Sequence, residues 1–246
     1  MARSLATLLL FLVAAVTASA FQYKEESVGS TFFLRNVLYP GSKITLHFGR
    51  VAPGVPALPR SRADAIPFSS AKIKEILSRF SIPEGSPAAA DVRFTLKECE
   101  APKLAGVAAQ RCATSFESMV DFATSCLGTG RIHAGTTKLS KEEATTPKQA
   151  YTVESVRPLP VAGRDLVACH AMPYPYAVYG CHTTTATLYA VVLAGADGTR
   201  VDALTACHKD ATPGFFPGTF EKLGVKPGTV PVCHFLPQDG MLWMRN

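Results

Sequence analysis

The rhythm of hydrophobic and polar positions changes along this chain, and the first twenty residues stand apart from the rest. Arg3 precedes an almost unbroken apolar run from Leu5 to Val16, and Ala18-Ser19-Ala20 follows. A positive start, an apolar stretch and small residues in that order predict a secretory signal peptide over 1–20, cut before Phe21. The run falls short of the roughly 20 apolar residues that a membrane helix needs. No later stretch qualifies either, so no membrane anchor is expected. Residues 21–30 are polar and carry no pattern.

From there the apolar positions predict a mixed first half. Phe32 to Leu38 and Ile44 to Phe48 read as two strands around the turn Pro40-Gly41-Ser42. Residues 50–62 hold three prolines and read as an irregular loop. Pro67 and two serines open a helix whose apolar face is Ile73, Ile76, Leu77 and Phe80. Val92 to Leu96 alternates like a strand and leads into Cys99. Thr114 and Glu117 form a capping-box pattern for a second helix. Phe116, Met119, Val120, Ala123 and Leu127 form its face, and Gly128 is its stop. Both faces are expected in the core. Residues 134–150 are rich in Thr, Lys and Glu and read as an exposed connection.

Beyond Tyr151 the period becomes that of strands. Tyr151 to Val156, Asp165 to Cys169 and Val230 to Phe235 are short strand candidates. Thr184 to Leu193 and Arg200 to Cys207 flank Gly195-Ala196-Asp197-Gly198, a hairpin signal. Without repeats or a linker, the pattern predicts one β-rich α+β domain over 31–246, disulfide-braced, with its few helices in the N-terminal half.

Charge adds little. The net charge of +6 becomes +5 once Arg3 leaves with the leader, so the mature chain is mildly basic. That suits solubility, or attraction to acidic polymers outside the cell. No basic run with interleaved aromatics is present, so nucleic acid is not an expected partner. There is no Asn-x-Ser/Thr sequon, no Gly-x-Ser-x-Gly elbow and no phosphate loop.

Cysteine and histidine change the picture. The chain has 7 Cys and 6 His, and an exported chain with cysteines is expected to form disulfides. The odd count leaves one thiol over. Four histidines directly follow a cysteine: Cys169-His170, Cys181-His182, Cys207-His208 and Cys233-His234. Zinc fingers space their ligands by two to five residues so that both reach one ion; these are neighbours. On a strand, neighbours point to opposite faces. Cysteines would then share one face and pair, while histidines converge on the other. The hairpin signal puts Cys181-His182 before its first strand and Cys207-His208 at the end of its second, near one open end. A cluster of neutral imidazoles suits copper, zinc, iron or nickel. His47 and His133 have no such context and read as ordinary strand and loop residues.

These pairs, separated by 10, 24 and 24 residues, resemble the signature of the plant BURP-domain family. So do Met172-Pro173-Tyr174-Pro175-Tyr176-Ala177-Val178-Tyr179, Pro227-Gly228-Thr229, and Cys233-His234-Phe235-Leu236-Pro237-Gln238-Asp239-Gly240 with Trp243 beyond. Upstream, Phe32-Phe33, Ile66-Pro67-Phe68-Ser69 and Cys112-Ala113-Thr114-Ser115-Phe116-Glu117-Ser118-Met119 fit the same domain. The resemblance covers residues 31–246. It implies a secreted plant protein of the apoplast, structural or accessory in the cell wall during development or stress response, with wall polysaccharide or wall protein as partner. It implies as an alternative a copper-dependent cyclase that cross-links Tyr or Trp side chains of a peptide. In that case His170, His182, His208 and His234 would hold the copper. Only about ten residues separate leader and domain; they contain Tyr23 but no Trp and no repeat. Action on a separate peptide is therefore favoured over self-modification. The resemblance also pairs Cys99 with Cys112. It leaves Cys169, Cys181, Cys207 and Cys233 to form two bridges among three connectivities, and Cys126 as the odd thiol.

Overall fold

The computed structural model describes residues 32–104, 106–141, 146–161, 165–209 and 218–246. The predicted leader and residues 21–30 lie outside the described residues. In chain order the elements are β1 (Phe32–Leu34), β2 (Lys43–Leu46), α1 (Arg60–Ala63), α2 (Ile73–Arg79), α3 (Pro87–Glu100), β3 (Gln110–Ala113) and α4 (Phe116–Leu127). There follow β4 (Ile132–Gly135), β5 (Lys138–Leu139), β6 (Gln149–Leu159), β7 (Asp165–Met172), β8 (Val178–Thr185), β9 (Thr187–Gly195), β10 (Arg200–His208), α5 (Thr219–Lys222), β11 (Val232–Phe235) and β12 (Met241–Arg245). The chain is a single β-rich domain with few helices, braced by three disulfides.

The strands form two antiparallel sheets. One runs β1-β11-β10-β9-β6-β2, with β5 added to β10; the other runs β3-β8-β7-β12-β4. Leu166 and Ala168 of β7 and Leu242 and Met244 of β12 pack with Leu188 of β9, Leu204 and Ala206 of β10, and Leu236. These residues come from both sheets, so the sheets lie face to face as a sandwich. Each outer face is also covered. On the second sheet, Met119, Phe122, Ala123 and Leu127 of α4 pack on Val167, Cys169, Ala171 and Cys181. On the first, Phe33, Leu38, Leu46, Phe48, Tyr151 and Phe235 surround Cys207 and Cys233. Covering both faces of each sheet explains why β10 and β11 are almost wholly buried rather than alternating.

At Gly135 β4 packs tightly against β10. A Cβ there would stand 2.7 Å from Leu204 Cδ2 and 3.3 Å from Met244 Cε, inside van der Waals contact. Glycine is what lets β4 lie against β10.

Several sequence expectations change. Val92 to Leu96 is not a strand but the centre of α3. Ser86 caps that helix by accepting from the Ala89 N–H at 3.2 Å, and Pro87 occupies its first turn. Ala89, Val92 and Leu96 then fall on one buried face. The residues after Pro67 begin with a 3-10 turn capped by Ser69, and the helix proper starts at Ile73. On α4 the reciprocal cap is Ser115 with Ser118, one residue later than expected. The buried face differs too: Phe116 and Val120 are 42% and 36% exposed, and Phe122 is buried beside Met119, Ala123 and Leu127. Gly128 does end the helix, at φ 67°.

The turn Pro40-Gly41-Ser42 forms, but β1 pairs with β11 and β2 with β6, so no hairpin joins them. The stretch 134–150 is more than an exposed connection. It completes β4, contains β5 and begins β6, and Thr137 and Thr146 are buried. Their hydroxyls accept from the backbone N–H groups of Leu204 (3.2 Å) and Phe48 (2.8 Å). The hairpin at Gly195–Gly198 forms as β9–β10, but Thr184 and Thr185 belong to β8, across in the other sheet.

Candidate functional site

Each sheet carries the same local device. In the second sheet Cys169 of β7 lies directly opposite Cys181 of β8, and the two form a disulfide with a Cα separation of 4.0 Å. In the first sheet Cys207 of β10 lies opposite Cys233 of β11, also bridged at 4.0 Å. The short spacing suits directly opposed, non-hydrogen-bonded positions. Both bridges sit under the outer cores, fully or almost fully buried.

The next residue on each strand faces the other way, into the sandwich. His170 stands opposite Gly180 and His182 opposite Ala168; His234 stands opposite Ala206 and His208 opposite Val232. A small residue opposite three of the four rings leaves space for the diagonal partner. In each sheet the two imidazoles meet with Nε2–Nε2 3.3 Å, for His170–His182 and for His208–His234. The planes are 15° and 6° apart with ring centroids at 5.3 and 5.4 Å. The centroid distance exceeds the Nε2–Nε2 distance by about two ring radii. The rings therefore meet edge to edge through these nitrogens rather than face to face.

Carbonyls hold the rings from behind. His182 donates Nδ1–H to Thr183 O at 3.1 Å, His208 to Thr185 O at 3.0 Å, and His234 to Phe235 O at 3.3 Å. A carbonyl only accepts, so these Nδ1 atoms carry the proton and the lone pair lies on Nε2. All four rings are held below the ordinary imidazole range. Burial is the main cause, pushing His170 to about 3, His234 to about 3 and His208 to about 4, with His182 also lowered. The neighbouring histidines act in the same direction on His170, His208 and His234. The bonds to Thr183, Thr185 and Phe235 pull the other way and lose to burial. The site is thus a set of neutral imidazoles at physiological pH.

All four histidines line one cavity of about 360 Å³. Its walls include Phe32, Ala168, Ala206, Leu236 and Leu242 from the sandwich, and Met172 at the end of β7. The third disulfide, Cys99–Cys112, belongs to the wall as well. It ties the end of α3 to edge strand β3, and Lys103 and Leu104 between them join the lining. Lys103 Nζ donates to Ala108 O at 3.0 Å, and the Leu104 N–H donates to Gln110 Oε1 at 3.0 Å.

The structure therefore brings together the four histidines picked out by the sequence, as two pairs, one from each sheet. Among the described residues no three His, Cys, Asp or Glu side chains converge on a single point. His133 is exposed on β4, its Nδ1 2.6 Å from Asn246 Oδ1, and His47 follows β2; neither lines the cavity. Cys126 is a half-buried free thiol against the α4 core, and burial raises its pKa. Sequence reasoning did not find the site roles of Phe32, whose ring lies 5.4 Å from His234, or of Glu98, Leu104 and Met172. Nothing in the spacing of Cys99 and Cys112 placed their bridge beside the histidine pairs.

The family model for the BURP domain matches residues 31–245. The chain is 58% identical to BURP domain-containing protein 6 of Oryza sativa subsp. japonica, over 96% of this chain and 97% of that protein. It is 53% identical to BURP domain-containing protein 2 of the same organism, over 95% and 83%. It is 39% identical to BURP domain protein RD22 of Arabidopsis thaliana, over 92% of this chain and 58% of that protein.

Proposed function

The chain belongs to the BURP-domain family, and from that premise we propose an exported protein whose four paired histidines hold copper and which oxidatively cross-links a Tyr or Trp side chain of a separate peptide. The observation that carries this reading is the His208–His234 pair. Both Nδ1 protons go to carbonyls, so two neutral rings would face each other lone pair to lone pair across 3.3 Å. A cation shared between the two nitrogens would offset that opposition. Burial opposes a proton there at neutral pH. A metal ion satisfies it, because two nitrogens 3.3 Å apart with metal bonds of about 2.0–2.1 Å subtend an angle close to tetrahedral. The carbonyls behind the rings are the outer partners that fix tautomer and orientation in histidine metal sites.

His170 and His182 would form one half of the seat, and His208 and His234 the other. Copper, when bound, supplies one-electron redox chemistry to this cavity. The chain's own contribution is to present unprotonated Nε2 atoms, hold them from both sheets by disulfides on the reverse face, and line the approach with apolar walls. Forming the cross-link removes two hydrogen atoms from the peptide, with dioxygen as their acceptor. Incubating copper-loaded mature protein with a Tyr- or Trp-containing peptide in air should yield a product lighter by two hydrogen atoms. No such product from any aromatic peptide, with copper bound, would refute the enzymatic part of this reading.

A second reading rests on the basic balance of the chain, a net charge of +6 that becomes +5 without Arg3 of the leader. It makes the protein a structural or accessory component of the plant cell wall, held by acidic polysaccharide. Retention on pectin that is released by salt supports it; absence of retention at low salt removes it. Among the described residues no helix is long and apolar enough to cross a membrane.

A further inference from the structure

Glu98 lines the histidine cavity from the last turns of α3 and is half-buried there. Among the described residues it makes no hydrogen bond or ion pair. It is the one carboxylate among the described residues that line the cavity. Its backbone is held in place by the disulfide of the next residue, Cys99, to Cys112 on β3. A half-buried carboxylate at a cavity wall can accept charge-assisted hydrogen bonds from an ammonium or guanidinium group of whatever enters.

The other charged groups at the wall do not take that role. Lys103 donates from its ammonium to Ala108 O at 3.0 Å. Arg111 stands opposite Cys181 in the β3–β8 register, on the disulfide face of the sheet rather than the histidine face. The cavity, about 360 Å³ with mostly apolar walls, is at the small end of ligand sites. It suits one large side chain and its immediate neighbour, not a long segment.

We infer that Glu98 is a specificity-determining residue that selects peptides carrying a cationic group, ammonium or guanidinium, next to the aromatic residue that enters the cavity. This rests on the reading of the cavity as a peptide-accepting copper site. Glu98 binds and orients; it takes no part in electron transfer.

The test uses the mature protein, with and without copper, and three fluorescently labelled dipeptide amides that pair Tyr with Lys, norleucine or Glu. By fluorescence anisotropy the Lys peptide should bind about tenfold tighter than the norleucine peptide, the scale of one charge-assisted contact. The Glu peptide should bind weakest. Glu98→Gln should abolish the Lys preference while leaving copper content and the three disulfides intact. The inference is overturned if the preference survives in Glu98→Gln, if the Glu peptide binds as well as the Lys peptide, or if no peptide binds. Copper content is read separately. Loss of copper binding with the Lys preference retained faults the metal reading alone, and copper binding without the preference faults only the role of Glu98.

Discussion

Lowering the pH from 7 to 5 should destabilise the metal-free protein, and the buried histidines set the size of the effect. A histidine with an ordinary value of about 6.5 in the unfolded chain is pushed to about 4 for His208 and about 3 for His234 by burial in the fold. Between those values the unfolded state binds the proton and the folded state does not. Stability therefore rises with pH through this window and is lost as pH falls. At pH 5 each such histidine costs roughly 2 kcal/mol relative to pH 7, so the His208–His234 pair costs about 2–4 kcal/mol. The lower end applies if the facing nitrogens share the first proton. His170 and His182 act in the same sense, and His170 less than its burial implies because part of its ring is open to the cavity. Asp239 opposes them, since burial raises its carboxyl and favours the fold as that group protonates, but it acts closer to the carboxylate range. Urea unfolding with chelator present, at pH 8, 7, 6 and 5, measures the slope. The double variant His208→Gln, His234→Gln should reduce it, leaving the part that His170 and His182 contribute. A stability unchanged between pH 7 and 5, or the same slope in the double variant, would show that these rings are not held neutral by burial.

Other consequences bear on the scaffold. Gly135→Ala should cost about 1–3 kcal/mol by overpacking against Leu204, and in a Leu204→Ala background the same change should cost measurably less, read as a double-mutant cycle in thermal melts. Met119→Ala should cost about 2–5 kcal/mol, whereas Val120→Lys should stay within about 0.5 kcal/mol; equal losses would restore the helix face expected from sequence.

The site was more legible than the fold around it. Adjacent Cys and His on a strand must face opposite ways, and that rule alone separated bracing residues from ring nitrogens. Which cysteines pair was not legible, because it depends on β7 lying beside β8 and β10 beside β11, a matter of topology. The sandwich escaped for a related reason. Gly180-Cys181-His182-Thr183-Thr184-Thr185 offers no apolar alternation, so β8 went unseen and its pair was attached to the wrong hairpin. Helix α3 was misread because Val92, Phe94 and Leu96 mimic a period of two, while Ser86-Pro87 and the spacing Ala89-Val92-Leu96 mark a helix. On α4, Thr114 and Ser115 are both acceptable caps, and Val120 and Phe122 flank the Met119-Ala123-Leu127 stripe on opposite sides, so the pattern alone did not say which of them is buried. Glu98 was invisible as a site residue because only the fold of the Cys99–Cys112 loop brings it to the cavity.

Electron paramagnetic resonance of the mature protein titrated with copper(II) decides whether the paired histidines form a metal seat. At least one copper per chain should bind with hyperfine structure from imidazole nitrogens, and that signal should change or disappear in the double variant His208→Ala, His234→Ala while the Cys99–Cys112 and Cys169–Cys181 bridges persist. Failure to take up stoichiometric copper, or an identical spectrum from that variant, would contradict that reading.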